Sequence, residues 1–323
     1  MVANQVSNRH SLEKQSPHRG INIRRTDTAG DSAITLQNIE VQYTDTTSLV
    51  LDIERLTVAR GERIALVGPS GAGKTTLLRL LNGYVQPNGG QINILGNQIN
   101  LGMTQRYPQH RDHWTRAMRR GVGFVFQDFS LVERATVFQN VLWGRLGRMN
   151  PLLSLFGWFS VADKMTAMEA INEVDLLPQT SQRVDTLSGG QQQRVGIARV
   201  LAQKAEIILA DEPVSNLDPA LAEDVLALLA DVSQRHNATL LMSLHQPRLA
   251  QQYADRIIGL RAGRIVYDDR AEHFNQAAIQ TIYGRSVGVN ESLHNTGHET
   301  YAGDYSVPVQ EWPIASAYAQ VTP

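Results

Sequence analysis

Apolar and polar residues begin to alternate regularly near Leu36. Ile39, Val41 and Tyr43 are separated by single polar residues, and this two-residue period is typical of a strand with one buried face. Residues 1–33, which precede it, are polar and aperiodic. We therefore expect a flexible N-terminal arm, followed by a domain that opens on a half-buried strand.

A second stretch is apolar without alternation and leads into a helical pattern. The run Ile64-Ala65-Leu66-Val67 is unbroken, as is typical of a strand buried on both faces of a parallel sheet. A helical period follows from Lys74, with apolar positions between Leu77 and Leu81. Gly83 supplies a stop signal, so the pattern predicts a strand, a turn and a helix in succession.

Six further segments carry strand patterns, and helical patterns separate most of them. The strand patterns cover Gln91–Leu95, Val122–Phe126, Glu206–Ala210, Thr239–Ser243, Arg256–Leu260 and Arg264–Tyr267. Strands that alternate with helices predict an α/β fold with a mostly parallel core sheet, and the early half-buried strands predict an added antiparallel β layer. Between Ala135 and Arg183 the pattern is helical. We expect a helical subdomain there, over about residues 128–195.

The composition changes again near Ser286. Residues 286–323 are rich in Gly, Ser, Thr, Asn and Pro and contain acidic residues but no Lys or Arg. This composition predicts a disordered C-terminal tail. Residues 34–285 are then expected to form the folded domain.

Length and composition exclude several classes of protein. The 323 residues are 42% hydrophobic and 19% charged, a globular balance, and the net charge of -1 argues against bare nucleic acid as the main partner. The lack of cysteine excludes disulfides, thiolate metal sites and cysteine nucleophiles. We interpret the histidine pairs His110/His113 and His294/His298 as solvated residues. No apolar run reaches the roughly 18 residues of a spanning helix, and no secretory signal is evident, so we expect a cytoplasmic protein.

A glycine-rich segment follows the fully apolar strand. Gly68-Pro69-Ser70-Gly71-Ala72-Gly73-Lys74-Thr75, continued by Thr76, fits G-x-x-x-x-G-K-[ST] between a strand and a helix. Glycines let backbone N–H groups converge on phosphate oxygens, and the helix N-terminus adds about half a positive charge. Lys74 is placed to reach the β- and γ-phosphates, and the Thr75 hydroxyl is a ligand for Mg²⁺. The segment predicts a nucleotide-phosphate site.

Two adjacent carboxylates end another apolar strand. Asp211 and Glu212 follow Ile207–Ala210 and should emerge beside the phosphate loop at the carboxyl edge of the sheet. Two acids at one place need two roles. We assign Asp211 to Mg²⁺, directly or through water, and Glu212 to the attacking water as general base.

The most specific motif lies about twenty residues before this acidic pair. Leu187-Ser188-Gly189-Gly190-Gln191, followed by Gln192-Gln193-Arg194, opens a helical pattern. It resembles the signature sequence of ABC-transporter ATPases. The resemblance covers about residues 34–285 and implies the P-loop NTPase fold of an ABC cassette, with ATP as nucleotide and Mg²⁺ as cofactor.

The resemblance also implies roles for isolated residues. Tyr43 stands where the family has an aromatic that stacks on adenine, and Gln127 stands at the family's glutamine hinge, a catalytic and metal-contacting position. His245 stands where the family has a histidine that contacts the γ-phosphate, and residues 215–218 resemble the loop that crosses the dimer interface. Taken alone, the three side chains also suit a core aromatic, a strand-end cap and a turn histidine.

The signature has a physical consequence for assembly. Ser188, Gly189 and Gly190 start a second anion-binding helix, although the phosphate loop of the same chain already surrounds the nucleotide. The family solves this with a head-to-tail homodimer, in which each ATP lies between the phosphate loop of one subunit and the signature, including Gln191, of the other.

The subfamily is suggested by weaker features. The segment Leu142–Phe159, the sequence Ser243-Leu244-His245-Gln246 and the segment Ala254–Gly263 resemble the ATP-binding subunits of phosphonate importers. This implies uptake of phosphonate or a related oxyanion through two separate permease subunits, with a substrate-binding protein and no nucleic acid as partner, at the cytoplasmic face of the membrane. Import of phosphate, amino acids or metals is the main alternative.

Two other functions stay open at this point. A non-transport ABC ATPase usually carries two cassettes or a long coiled coil, and the sequence has neither. A scaffold that binds ATP without turnover would not need a base at Glu212. We also expect part of the segment that contains Phe156, Trp158 and Phe159 to face the permease, although ordinary packing in the helical subdomain explains these aromatics equally well.

Overall fold

The computed structural model describes residues 32–43, 48–100, 120–149 and 157–284. The predicted N-terminal arm up to residue 31, the predicted tail, Phe156 and both histidine pairs lie outside these ranges. Within the described ranges the chain forms two sheets and seven α-helices.

The first sheet is antiparallel. Its strands are β1 (Ser32–Val41), β2 (Leu51–Ala59), β4 (Gly89–Ile94) and β5 (Asn97–Asn100), in the order β2-β1-β4-β5. The predicted antiparallel layer is therefore present. The alternation predicts a strand that includes Tyr43, but β1 ends at Val41. The next backbone N–H, that of Gln42, donates to the side chain of Asn88 at 2.7 Å and not to a neighbouring strand.

Strand β2 is not predicted by alternation because its two-residue period of buried positions is interrupted once. Leu51, Ile53, Leu56 and Val58 are buried, with two exposed residues in succession between the pairs. The same interruption occurs in β1, where Asn38 adopts a left-handed φ of 51°. The two strands stay in register across this point, so both cross from one face of the pleat to the other together.

The second sheet is the core of the molecule. It contains β3 (Arg63–Val67), β6 (Val122–Val125), β7 (Ile207–Ala210), β8 (Thr239–Ser243), β9 (Arg256–Arg261) and β10 (Arg264–Arg270), in the order β10-β9-β3-β8-β7-β6. All neighbouring pairs are parallel except β9 and β10. The mostly parallel sheet is confirmed, and the carboxyl ends of β3, β7 and β8 lie side by side at one edge.

Helices surround this sheet. They are α1 (Lys74–Leu81), α2 (Val137–Leu142), α3 (Val161–Glu173), α4 (Gly189–Gln203), α5 (Pro219–Arg235), α6 (Pro247–Tyr253) and α7 (Gln276–Tyr283). Helix α1 begins and ends as the sequence predicts, with Gly83 at a left-handed φ of 75° after it. A 3-10 segment, Trp143–Arg148, links α2 to the chain that leads to α3.

The helical insertion packs as one layer against the sheet. Helices α2, α3 and α4 share a buried cluster with the inner residues of β7 and β8. Helix α4 runs without a break to Gln203, past the predicted subdomain boundary at 195. It therefore connects the helical insertion to the strand that carries the acidic pair. In the described part of the chain, no helix is long and apolar enough to span a membrane.

Candidate functional site

The loop between β3 and α1 has the backbone of a phosphate cradle. Gly68, Gly71 and Gly73 have φ angles of 151°, 74° and 104°, which favour glycine. A Cβ on Gly68 would lie 2.2 Å from the carbonyl oxygen of Leu260, whereas a Cβ on Gly71 would project into open space. The cradle is thus packed from beneath and open on the side where a phosphate could enter, so the residues fit a nucleotide.

Lys74 is the central cation of this loop. It is only 5% exposed, and its Nζ donates to the carbonyl oxygens of Gly68 at 2.8 Å and Pro69 at 3.2 Å. Burial lowers the pKa of the Lys74 ammonium, and the carboxylates of Glu212 and Asp211 act in the opposite direction. The ammonium therefore hydrogen-bonds to carbonyl oxygens of the phosphate loop. A phosphate bound in the loop would give it charged acceptors.

Asp211 links the phosphate loop to the adjacent strands. The Thr75 hydroxyl donates to Asp211 Oδ1 at 3.0 Å, and the Ser243 hydroxyl donates to the same oxygen at 2.9 Å. The backbone N–H of Asp211 donates to the carbonyl of Val125. The predicted metal ligands Thr75 and Asp211 are therefore brought together.

Glu212 is held in an unusual backbone conformation. Its φ is 45°, and its N–H donates to Ser243 Oγ at 2.8 Å. The carboxylate Oε1 lies 2.5 Å from His245 Nε2. The structure thus brings together two of the predicted catalytic residues, Glu212 and His245, at the ends of β7 and β8. The Ser243 hydroxyl donates to the Asp211 carboxylate and accepts the backbone N–H of Glu212.

The remaining predicted site residues differ in how exposed they are to solvent. Ser70 is exposed at the rim, Ala72 is buried and Thr76 is half-buried in the first turn of α1. Tyr43 is 41% exposed beyond the end of β1, so it is accessible to a base and is not a core aromatic. Gln127 is exposed in the turn after β6 and forms no hydrogen bond to Thr75 or Asp211 among the described residues.

The signature motif starts α4 with a reciprocal cap. The Ser188 hydroxyl accepts the backbone N–H of Gln191, and the Gln191 side chain accepts the backbone N–H of Ser188. The N–H groups of Gly189 and Gly190 lie in the first helical turn, where no intrahelical acceptor exists. None of these four residues hydrogen-bonds to the phosphate loop within the described chain. The two anion-binding helix starts are therefore separate sites.

Ser243 and Arg199 are functional candidates that the sequence analysis missed. Ser243 is fully buried and follows the apolar run Leu240-Leu241-Met242 at the end of β8, a signal that was available in the sequence. Arg199 of α4 donates to the carbonyl oxygens of Ser130 at 2.7 Å and Phe129 at 3.3 Å. Both of those residues have positive φ, 45° and 56°. Burial lowers the pKa of Arg199, so α4 holds the strained segment after Gln127 with a poorly hydrated cation.

Comparison with known proteins agrees with this geometry. A family model described as ABC transporter matches residues 51–215. The chain is 42% identical over 263 residues to phosphonates import ATP-binding protein PhnC 2 of Cupriavidus metallidurans, covering 81% of this chain and 91% of the relative. It is also 42% identical to phosphonates import ATP-binding protein PhnC of Thiobacillus denitrificans, covering 79% of this chain and 93% of the relative.

Solved structures match the fold over most of its length. The dimeric structure of the bacterial ABC transporter cassette MJ0796 is 29% identical with a TM-score of 0.63, covering 75% of this chain and all of the other. The same cassette in a dimeric post-hydrolysis state bound to ADP and Pi is 27% identical with a TM-score of 0.61, at the same coverage. With the signature, phosphate loop and acidic strand end all in place, the chain belongs to the ABC transporter family, as an ATP-binding cassette.

Proposed function

We propose that this chain is the ATP-hydrolysing subunit of an importer that takes up phosphonate or a related oxyanion through separate permease subunits. The observation that carries the proposal is the convergence of Lys74, Asp211 and Glu212 at one sheet edge, while the signature lies elsewhere in the same chain. The first set supplies hydrolysis, and the second supplies a site for a partner's nucleotide.

Hydrolysis uses the geometry at the end of β7. The N–H groups of the phosphate loop and the Lys74 ammonium bind the β- and γ-phosphates and stabilise the charge that builds on them. The Glu212 carboxylate accepts the proton of the attacking water. His245 contacts Glu212 Oε1, so it orients the base and would lie beside the γ-phosphate of a bound ATP.

The Thr75 hydroxyl and the Asp211 carboxylate would hold Mg²⁺. They are oxygen ligands 3.0 Å apart, and hard divalent cations prefer oxygen. Gln127, in the turn after the neighbouring strand, is a third oxygen ligand of the proposed set. The ion would supply positive charge to the phosphate oxygens.

The proposed assembly is a head-to-tail homodimer. Because the signature helix start and the phosphate loop of one chain are separate, each nucleotide would be completed by the N–H groups of Gly189 and Gly190 from the other copy. ATP then favours the closed dimer, and its hydrolysis removes that preference. The support is the dimeric form of the solved cassettes that this chain resembles.

The transported solute is assigned from the relatives. Several curated relatives at about 40% identity are named phosphonates import ATP-binding proteins. The proposed partners are two permease subunits and a substrate-binding protein, and the cassette acts at the cytoplasmic face of the membrane. The alternative solutes are phosphate, amino acids and metal ions.

A test of the solute follows from gene deletion. A strain that lacks this chain should fail to grow on phosphonate as its only phosphorus source but should grow normally on inorganic phosphate. Uptake of labelled phosphonate should be lost and should return with the native gene. Unimpaired phosphonate uptake, with loss of uptake of another solute, would contradict the assignment.

Helix α3 offers a surface for the permease. Val161, Met165 and Met168 share one face of the helix at helical spacing and are 74%, 59% and 38% exposed, and Trp158, just before the helix, is 70% exposed. We call these four side chains the α3 face. Exposed apolar side chains clustered in this way are typical of interaction sites. Phe159 packs against the core instead, so only part of the aromatic segment is available.

Changes on the α3 face are expected to weaken docking. Trp158→Ala removes the largest exposed apolar side chain, and Met165→Glu places a charge in the middle of the face. We expect permease binding to fall by about 30-fold or more for a central aromatic anchor. The measurement is affinity for permease in detergent, with Leu49→Ala, another exposed apolar residue, as control. Native docking and coupled ATPase in both variants would show that the surface lies elsewhere.

Ser243→Ala is expected to reduce turnover with little effect on nucleotide affinity. The variant leaves the Glu212 N–H without its acceptor and removes one donor from Asp211. We expect kcat to fall by about tenfold, the equivalent of one or two lost hydrogen bonds. The matched control is Ser233→Ala, which removes another buried hydroxyl, one that donates to the Ala230 carbonyl within α5. An equal fall in both variants would indicate general destabilisation.

A further inference from the structure

The 3-10 segment Trp143–Arg148 contacts the C-terminal end of the signature helix. Within its sequence Gly144-Arg145-Leu146-Gly147-Arg148, Gly144 and both arginines contact α4. A Cβ on Gly144 would lie 2.3 Å from the carbonyl oxygen of Arg199. Glycine therefore allows the two backbones to touch, and no larger residue would fit without displacement.

Arg148 caps the helix end. Its Nε donates to the carbonyl of Gln203 at 2.6 Å, and its Nη2 donates to the carbonyls of Lys204 at 2.8 Å and Arg120 at 3.3 Å. The last carbonyls of a helix lack intrahelical donors and carry partial negative charge. Burial lowers the pKa of Arg148, and neighbouring Arg145 acts in the same direction. Burial and the charge of Arg145 both disfavour the charged guanidinium, and the hydrogen bonds to backbone carbonyls stabilise it.

Arg145 joins two helices with one guanidinium. Its Nε donates to Asp163 Oδ1 at 2.9 Å, and its Nη1 donates to the carbonyl of Ala202 at 2.8 Å. The Arg145 and Asp163 side chains are only 13% and 14% exposed. Asp163 also closes the capping box of α3 with Ser160. The first turn of α3 and the last turn of α4 are thus bonded to the same side chain.

These two helices carry different functions at their other ends. Helix α3 presents the α3 face from its first turn onward. Helix α4 starts with Ser188 and Gly189, about 20 Å from the Arg145 contact at Ala202, at about 1.5 Å per residue. A helix of this length moves as a unit when its end is displaced. A shift of α3 would therefore reach the signature through Arg145.

We propose that Arg145 is a positioning residue that couples the α3 face to the signature helix. The proposal rests on the proposed function, since the displacement originates in the permease. Arg148 and Gly144 fix the segment that carries Arg145, and Arg145 transmits the movement. Its fork is required because one head group has to hold a carboxylate and a helix carbonyl together.

The experiment uses Arg145→Lys, which keeps the charge beside Asp163 but offers no rigid fork for the Ala202 carbonyl. We expect thermal stability to stay close to that of the native chain, and basal ATPase and permease affinity to stay within about twofold of the native values. Permease-stimulated ATPase should fall by about tenfold. Arg183→Ala, which removes an exposed arginine paired with nearby Asp185, is the control and should leave all four quantities unchanged. Unchanged stimulation in Arg145→Lys, or an equal fall in basal and stimulated ATPase, would overturn the proposal.

A second measurement separates this proposal from the proposed function. The chain has no cysteine, so spin labels attach only at two introduced cysteines, Met165→Cys on α3 and Lys204→Cys at the end of α4. We expect one narrow distance distribution in the isolated chain and a broader one when Arg145→Lys is added. An unchanged distribution would overturn the proposal. Failure of the native chain to dock with a permease would instead count against the proposed function.

Discussion

Glu212→Gln is expected to bind ATP with near-native affinity and to hydrolyse it about 10² to 10⁴ times more slowly, the usual range for loss of a general base. The amide keeps the size of the side chain and a contact with His245, but it accepts no proton at neutral pH. Because the carboxylate lies only 2.5 Å from His245, its loss affects both members of the pair. Single-turnover hydrolysis and nucleotide binding, measured separately, check the two halves of this prediction.

The matched control lies at the other end of the same strand. Glu206 immediately precedes β7 and forms an exposed ion pair with Arg60, so Glu206→Gln removes an equivalent charge away from the phosphate loop. We expect turnover in this control to stay near the native value. Near-native turnover in Glu212→Gln would refute the assignment of the base and would favour a different route for the proton.

Lys74→Ala is expected to lose nucleotide affinity as well as turnover. The ammonium is buried, held by two carbonyls and attracted by the carboxylates of Glu212 and Asp211, so a bound phosphate would add a strong charged partner. Truncating one member of a buried charged pair costs about 2–5 kcal/mol, which is a rise in Kd of about 30-fold or more. Equilibrium binding of labelled ATP gives the result directly, and Lys164→Ala, an exposed lysine on α3, should bind normally.

The Lys74 ammonium also predicts a pH dependence. Burial lowers its pKa below that of an exposed lysine, so the protonated form is lost at a lower pH than usual as the solution becomes alkaline. ATP affinity should therefore weaken on the alkaline side, and it should weaken earlier than in Lys74→Arg, whose guanidinium stays charged. Identical alkaline profiles for the two proteins would contradict this role of the ammonium.

The sequence predicts well where local rules decide the structure. All four residues of the unbroken run Ile64–Val67 are buried, as the lack of alternation indicates, and only Arg63, the first residue of β3, is half-buried. Gly68, Gly71 and Gly73 take the positive φ angles that the phosphate-loop pattern requires. Asp211 and Thr75 meet because the carboxyl ends of parallel strands lie at one edge of the sheet, and the alternation of strands and helices already indicates a parallel sheet.

Features that depend on contacts between distant segments were not predictable in the same way. Strand β2 loses its alternation where its partner β1 does, so neither segment alone reveals the pairing. Ser243 supports Asp211 and Glu212 from 32 and 31 residues away. Arg145 reaches Ala202 across 57 residues. Arginine in a helical pattern is ordinarily a solvated residue, and only the packed structure shows that its donors are used by a helix end.

The central claim is that two copies of the chain enclose each nucleotide between a phosphate loop and a signature. Gly189 allows a clean test, because a Cβ there would meet its nearest neighbours only at ordinary contact distances of 3.5 and 3.9 Å. Gly189→Asp should therefore fold, while its carboxylate repels a nucleotide presented by another copy. Gly189→Asn is nearly the same size and uncharged.

The decisive measurement is molecular mass by light scattering, in the Glu212→Gln background with saturating ATP. We expect a dimer with ATP, a monomer without it, and a monomer that still binds ATP when Gly189→Asp is added, with Gly189→Asn retaining more dimer than the charged variant. An ATP-dependent dimer that forms equally well with Gly189→Asp would contradict the claim.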